Sequence, residues 1–231
     1  MKSSNNEWIS ISDMMSGLML VFMFIAISFM IQVQSDKEKM KEIAITYNKD
    51  KKELYKDLYK EFSKDLEKWE AEITQDNTIV FNSPEVLFKT GKSMISDEFK
   101  IILDEFFPRY IKVLSSIKYK IEIDEIRIEG HTSNGWSNKS KIEDIYLNNM
   151  QLSQDRANNV LSFCYIINKP IIIKHRKWLE THFRANGMAF AKLKYKDKEE
   201  KIQDKIKSRR VEFKVQLKTE DKIYKILEAS S

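Results

Sequence analysis

The sequence predicts an α/β protein on a membrane tether: one bilayer-crossing helix, a long charged helix, then an α/β sandwich. Three observations predict it. Met14–Ile31 is a run of 18 residues without a charge. Residues 52–71 repeat every four positions. From Asn77 onward, strand-like alternation and helical apolar spacing take turns, as helices packed on a sheet require. With 32% charged residues, most of the 231-residue chain is water-compatible, so the apolar run serves a soluble body. The 40 basic and 35 acidic residues are mixed along the chain, which argues against a nucleic-acid partner. The single cysteine, Cys164, excludes an internal disulfide and reads as a buried thiol in the apolar stretch "RANNVLSFCYII".

The first element is the membrane helix. Eighteen residues rise roughly 27 Å, close to the hydrocarbon thickness of a bilayer, and Trp8 is placed as an interfacial anchor. The stretch "MKSSNNE" lacks the basic character of a signal peptide and no A-x-A-like site follows, so the segment reads as an uncleaved anchor. Counting Lys2 against Lys37, Lys39 and Lys41 puts the body in the cytoplasm, although large domains cross largely regardless of such charges. Asp13, Ser16, Gly17, Leu20, Phe24, Ile27 and Ile31 share one side of the helix. Two readings of Asp13 stay open on spacing alone. It is an N-cap for the following turn, or an ion-carrying carboxylate that faces a protein partner.

The second element reads "KELY KDLY KEFS KDLE KWEA". Lys, acid and apolar rows recur every fourth residue, which winds as stripes around a helix and is incompatible with a strand. From Ser35 to Gln75, ten Lys face eleven Asp and Glu. One apolar stripe on so charged a helix predicts parallel self-association through Leu54, Leu58, Leu66 and Ile73.

In the body, Thr78–Phe81 and Val86–Phe88 read as β-prone runs split by Asn82-Ser83-Pro84. "SDEFKIILDEFFPRYIKVLSSI" is a helix with Ser96 or Asp97 as N-cap. "IEIDEIRIEG" alternates as a half-buried strand, and "LSQDRANNVLSFCYII" is a helix with Ser153 as N-cap. "HFRANGMAF" approaches a strand, "KDKEEKIQDKIK" is a short polar helix, and "RRVEFKVQLK" is the final strand. "KHRK" (174–177), with Trp178, reads as a solvated turn. His131, His175 and His182 lack metal-ligand spacing, and no nucleophile elbow or phosphate loop is present. No metal site, cofactor or enzymatic activity is expected. His131, in the "GHT" turn, reads as structural.

Residues "ISDMMSGLMLVFMF" resemble the ion-channel helix of MotB-type stator subunits. "VLFKTGKSMI", "IRIEGHTS", "NNMQLSQDRANNV" and "SRRVEF" occur in the order of the OmpA-like peptidoglycan-binding domain that ends those subunits. Within that group, "EGHTSNGW", the channel motif and the charged helix are most similar to the stator-like subunits of Zorya anti-phage systems. The alternatives are a flagellar MotB-type stator subunit and a non-motor envelope tether.

The resemblance implies that Asp13 carries a proton or sodium ion, with Ser16 as a channel-lining hydroxyl. It implies a wall-binding pocket of Thr132, Ser133, Asn149, Leu152 and Arg156. There Arg156 takes the free carboxylate of a diaminopimelate stem residue, and backbone N–H groups at that helix start add anion affinity. Ser133 departs from the family, which usually has an acid there. The implied partners are a MotA-like (ZorA-type) membrane ring, a second copy of the chain and peptidoglycan. The implied layout is a short cytoplasmic N-terminus (1–12), a transmembrane helix (13–33), a helical dimerising linker (34–75), the OmpA-like domain (76–220) and a tail (221–231). It places a single-pass chain in the bacterial inner membrane with its C-terminal domain periplasmic.

Overall fold

The computed structural model describes residues 4–89, 91–135, 141–197, 199 and 201–218. The expected tail 221–231, Trp136 and the side chain of Trp8 lie outside the described residues. Contacts divide the chain into two units at Asn48/Lys49. Helix α1 (Ser4–Phe62) supplies the described part of the first unit, up to residue 48, and the first element of the second. In the first unit, side chains from Ser12 to Val33 are exposed, among them Met14, Leu18, Phe22, Phe24, Phe29 and Ile31. An apolar surface of this length is suited to lipid or to a protein partner, and the helix is long and apolar enough to cross a membrane.

In the second unit α1 is followed by β1 (Ala71–Ile73), β2 (Thr78–Phe81), α2 (Pro84–Leu87), α3 (Asp97–Leu114) and β3 (Ile123–Gly130). Then come α4 (Ile142–Ile166), α5 (Pro170–His182), β4 (Phe183–Gly187), β5 (Tyr195–Asp197), β6 (Ile202–Gln203), α6 (Lys205–Ser208) and β7 (Val211–Leu217). The main sheet has the order β1-β2-β7-β3-β4; only the β3–β4 pair is parallel. Alternation in β7 sends Val211, Phe213, Val215 and Leu217 to one face. There Phe106 of α3 lies 5.0 Å from Phe213 and 5.2 Å from Phe81, ring centre to ring centre. Ser96 is the N-cap of α3, its hydroxyl accepting from the Phe99 N–H at 3.0 Å, as the sequence predicts.

The apolar row of α1 is filled from within the chain. Leu54, Leu58 and Phe62 are fully buried, and the Phe62 ring lies 5.2 Å from Phe106. Tyr119 donates a hydrogen bond to Asp57, and Lys118 pairs with Glu53 and Asp57 at 3.1 Å each. Arg109 reaches Glu61 at 2.7 Å and Asp65 at 2.9 Å. Of the residues expected to mediate self-association, Leu54 and Leu58 are buried within the chain and closed to a second copy, whereas Leu66 and Ile73 are half-buried. The linker expected to be helical over 34–75 is corrected as well. Its helix ends at Phe62, and Ala71–Ile73 becomes the edge strand β1.

Three further expectations change. Val86–Phe88 is not a strand: Pro84 opens the short helix α2, and Phe88 makes only an isolated bridge to Ile95. "KDKEEKIQDKIK" holds the β5–β6 hairpin before α6, whose N-cap Asp204 accepts from the N–H groups of Ile206 and Lys207. "KHRK" lies inside α5, started by Pro170 and seated by buried Ile172 and Leu179.

Candidate functional site

Two places carry the predicted residues, one in each unit. In α1 the helix begins at Ser4, more than two turns before Asp13. The capping reading of Asp13 fails on that geometry, since an N-cap must precede the first turn whose N–H groups it satisfies. Asp13 is an exposed carboxylate inside a helix, at the start of the uncharged run. One turn on, the Ser16 hydroxyl donates to the carbonyl of Ser12 at 2.9 Å, which satisfies it on an apolar helix.

The second place is built where α4 crosses the ends of β3 and β4. Gly130 and Gly187 are paired across those strands. A Cβ on Gly130 would stand 2.2 Å from the Ser153 carbonyl oxygen, and one on Gly187 would stand 2.6 Å from the Gln154 nitrogen. Only glycines let the α4 backbone rest this closely on the sheet. Ser153 completes the joint: its hydroxyl accepts from the Ala189 N–H and donates to the Met150 carbonyl, both at 2.9 Å. The Thr132 N–H in turn donates to the Ala189 carbonyl at 2.8 Å, so the "GHTS" loop and α4 are tied through one residue.

Because α4 runs unbroken from Ile142, Ser153 is no N-cap. The backbone N–H groups expected as an anion cradle at that point belong to the interior of a helix. That part of the predicted pocket is overturned. The side chains fare better. Asn149 and Arg156, seven residues apart, share a buried face of α4. Leu152 and Ser133 are half-buried, while Thr132 is buried with a hydroxyl that makes no hydrogen bond among the described residues. The Asn149 amide donates to the Ile145 carbonyl at 2.8 Å.

Arg156 is 94% buried on the Phe88 ring, 4.8 Å from its centre, and its Nε donates to the Lys92 carbonyl at 2.9 Å. Asn159 holds the neighbouring Ser93 carbonyl at 2.9 Å, so α4 braces the 92–93 loop. Bracing uses only one edge of the guanidinium. Among the described residues no acid pairs with it. Burial first, and the like charge of Arg209 second, push its pKa down to about 10. A buried cation without an acid partner suits a carboxylate ligand taken bidentately. Arg209 is the residue the sequence reading passed over. It stands in "SRRVEF", and two arginines with no acid between them were the available signal. Cys164 is fully buried and burial pushes its thiol up, in keeping with an inert core role.

Comparison with known proteins follows the same division. Residues 87–207 match the OmpA family. Over 225 residues the chain is 45% identical to the Zorya protein ZorB of Escherichia coli ATCC 8739, covering 97% of this chain and 93% of that protein. Among solved structures, a putative MotB-like protein from Desulfovibrio vulgaris is 20% identical, with 72% of this chain and 90% of that one covered and a TM-score of 0.48. The periplasmic domain of Helicobacter pylori MotB is 16% identical, with 69% and 97% covered and a TM-score of 0.44. The cell wall anchor of the type VI secretion system from Pseudomonas aeruginosa is 17% identical, with 70% and 97% covered and a TM-score of 0.45.

Proposed function

The chain belongs to the OmpA family and to the ZorB proteins, and from that premise we propose that it is the wall-anchored, ion-coupled stator-like subunit of an anti-phage membrane assembly. Residues 13–33 cross the inner membrane once, with the body in the periplasm. Asp13 takes up and releases a proton or sodium ion as it passes between this helix and a surrounding MotA-like (ZorA-type) ring. Ser16, one turn on, lines the same path. An acid in this setting is costly unless paired or wetted, so its change of charge biases two arrangements of the ring. A second copy of the chain completes the assembly through a surface other than the buried Leu54–Leu58–Phe62 row. The body holds peptidoglycan through Arg156, with Arg209 adding positive field and Thr132, Ser133, Asn149 and Leu152 shaping the pocket. No step of this role requires enzyme chemistry.

One observation carries the motor reading: Asp13 lies within the helix, at the head of 18 uncharged residues, where capping gives it no structural purpose. Asp13→Asn keeps shape and polarity and removes ionisation. Normal membrane levels with loss of both phage protection and ion conduction are expected. Full protection by the variant would leave only a tether.

A further inference from the structure

We propose that Glu129, His131 and Glu212 form a binding site for a divalent cation of the zinc class. Glu129 and Glu212 are direct partners across the antiparallel β3–β7 pair, and both are buried. Like charges directly opposite one another oppose strand pairing, so the two carboxylates must be met by positive charge, from side chains or from a bound ion. His131, held at the end of β3 by its N–H donating to the Arg210 carbonyl at 3.0 Å, is aimed between them. Its side chain is 1% exposed, and neither ring nitrogen makes a hydrogen bond among the described residues.

The distances around His131 fit ligands arranged about one ion. The His131 Nε2 lies 3.6 Å from Glu129 Oε2 and 3.6 Å from Glu212 Oε2. A charge-assisted hydrogen bond would close to about 2.7–2.9 Å. Ligands about 2.0–2.2 Å from zinc, at near-tetrahedral angles, stand roughly 3.3–3.6 Å from each other. One donor atom from each of the three residues lies within 4.8 Å of the other two. One imidazole and two carboxylates form a three-ligand set that leaves a fourth position for water, and the imidazole favours zinc over calcium or magnesium.

The surrounding cations are compatible with this. Arg210 takes the far oxygen of Glu212, Oε1, at 2.6 Å, and Arg127 approaches the far oxygen of Glu129 at 3.5 Å. Only Lys192 occupies a proposed ligand atom, Glu129 Oε2 at 3.1 Å. Its side chain is 47% exposed and borders a cavity of about 260 Å³ together with Arg210 and Glu212.

The test uses the full chain in detergent, stripped with a chelator and titrated with zinc chloride against a chromophoric competitor. One equivalent of zinc is expected to bind and to raise the Tm, with affinity at least ten-fold weaker in His131→Gln. Lys192→Met removes the competing ammonium and is expected to tighten zinc several-fold. A closed ion network predicts the reverse, a lower Tm and no gain in zinc affinity. The absence of a zinc equivalent sensitive to His131→Gln, or a Lys192→Met variant that binds zinc no better, overturns the site. Should His131→Gln fail to fold, the Lys192→Met titration decides alone.

Discussion

Arg109 and Arg156 occupy similar stations and have opposite electrostatic surroundings. Each lays its guanidinium against a phenylalanine, Arg109 at 5.0 Å from Phe62 and Arg156 at 4.8 Å from Phe88. Arg109 is met by Glu61, Asp65 and Glu105. Burial opposes its charge, but Glu61 and Asp65 outweigh burial and raise its pKa. Arg156, more deeply placed, is met by a backbone carbonyl and a second arginine, and its pKa falls. The difference separates two uses of one side chain. Arg109 closes its charge within the fold and fastens the end of α1 to α3. Arg156 has no acid partner among the described residues, as the proposed carboxylate ligand would require.

The largest expected effect follows from that contrast. Arg156→Ala should cut peptidoglycan co-sedimentation by about 100-fold or more, the scale of losing a buried charge-pair partner, roughly 3–5 kcal/mol. Arg156→Lys should recover little, because an ammonium lacks the planar fork. Unchanged co-sedimentation in both variants would erase the distinction between the two arginines. The next effect runs the other way. Arg109→Ala should lower unfolding free energy by about 1–3 kcal/mol, read by urea titration, and leave co-sedimentation intact. The smallest effect probes, with alkali, the seam between α1 and the turn that follows α3. Burial, aided by the Asp57 carboxylate, pushes the Tyr119 hydroxyl up to about 12. A raised folded pKa gives stability that is full below about pH 10 and is lost as pH rises through 12. Tyr119→Phe should flatten that part of the pH–stability curve, at a cost of about 1 kcal/mol below pH 10. Equal alkaline slopes in the two proteins would remove Tyr119 from the seam.

Much of this architecture was readable from local pattern. The alternation of "RRVEFKVQLK", the Ser96 cap and the uncharged run each depend on residues a few positions apart, and each appears as expected. The stripe at Leu54, Leu58 and Phe62 is buried as a stripe should be, but within this chain and not against the expected second copy. Periodicity is silent about whose surface fills such a stripe, and α3, more than 30 residues onward, filled it. Ser153 misled because a serine before an apolar helical run looks like a cap, whereas here it bonds Ala189 from mid-helix. In the candidate site, Arg156 was legible through a motif. The proximity of Arg209, and the union of His131 with Glu212 some 80 residues later, are set by strand order, which no spacing rule encodes.

The two glycines beneath α4 have a mechanical meaning. In the proposed wall-binding role, tension received at Arg156 would enter the sheet through main chain seated on main chain, because a Cβ at Gly130 or Gly187 would collide with the Ser153–Gln154 backbone. Under that proposal Gly130 and Gly187 would serve as a stiff bearing, and a single methyl at either would work as a wedge that lifts α4 off the sheet.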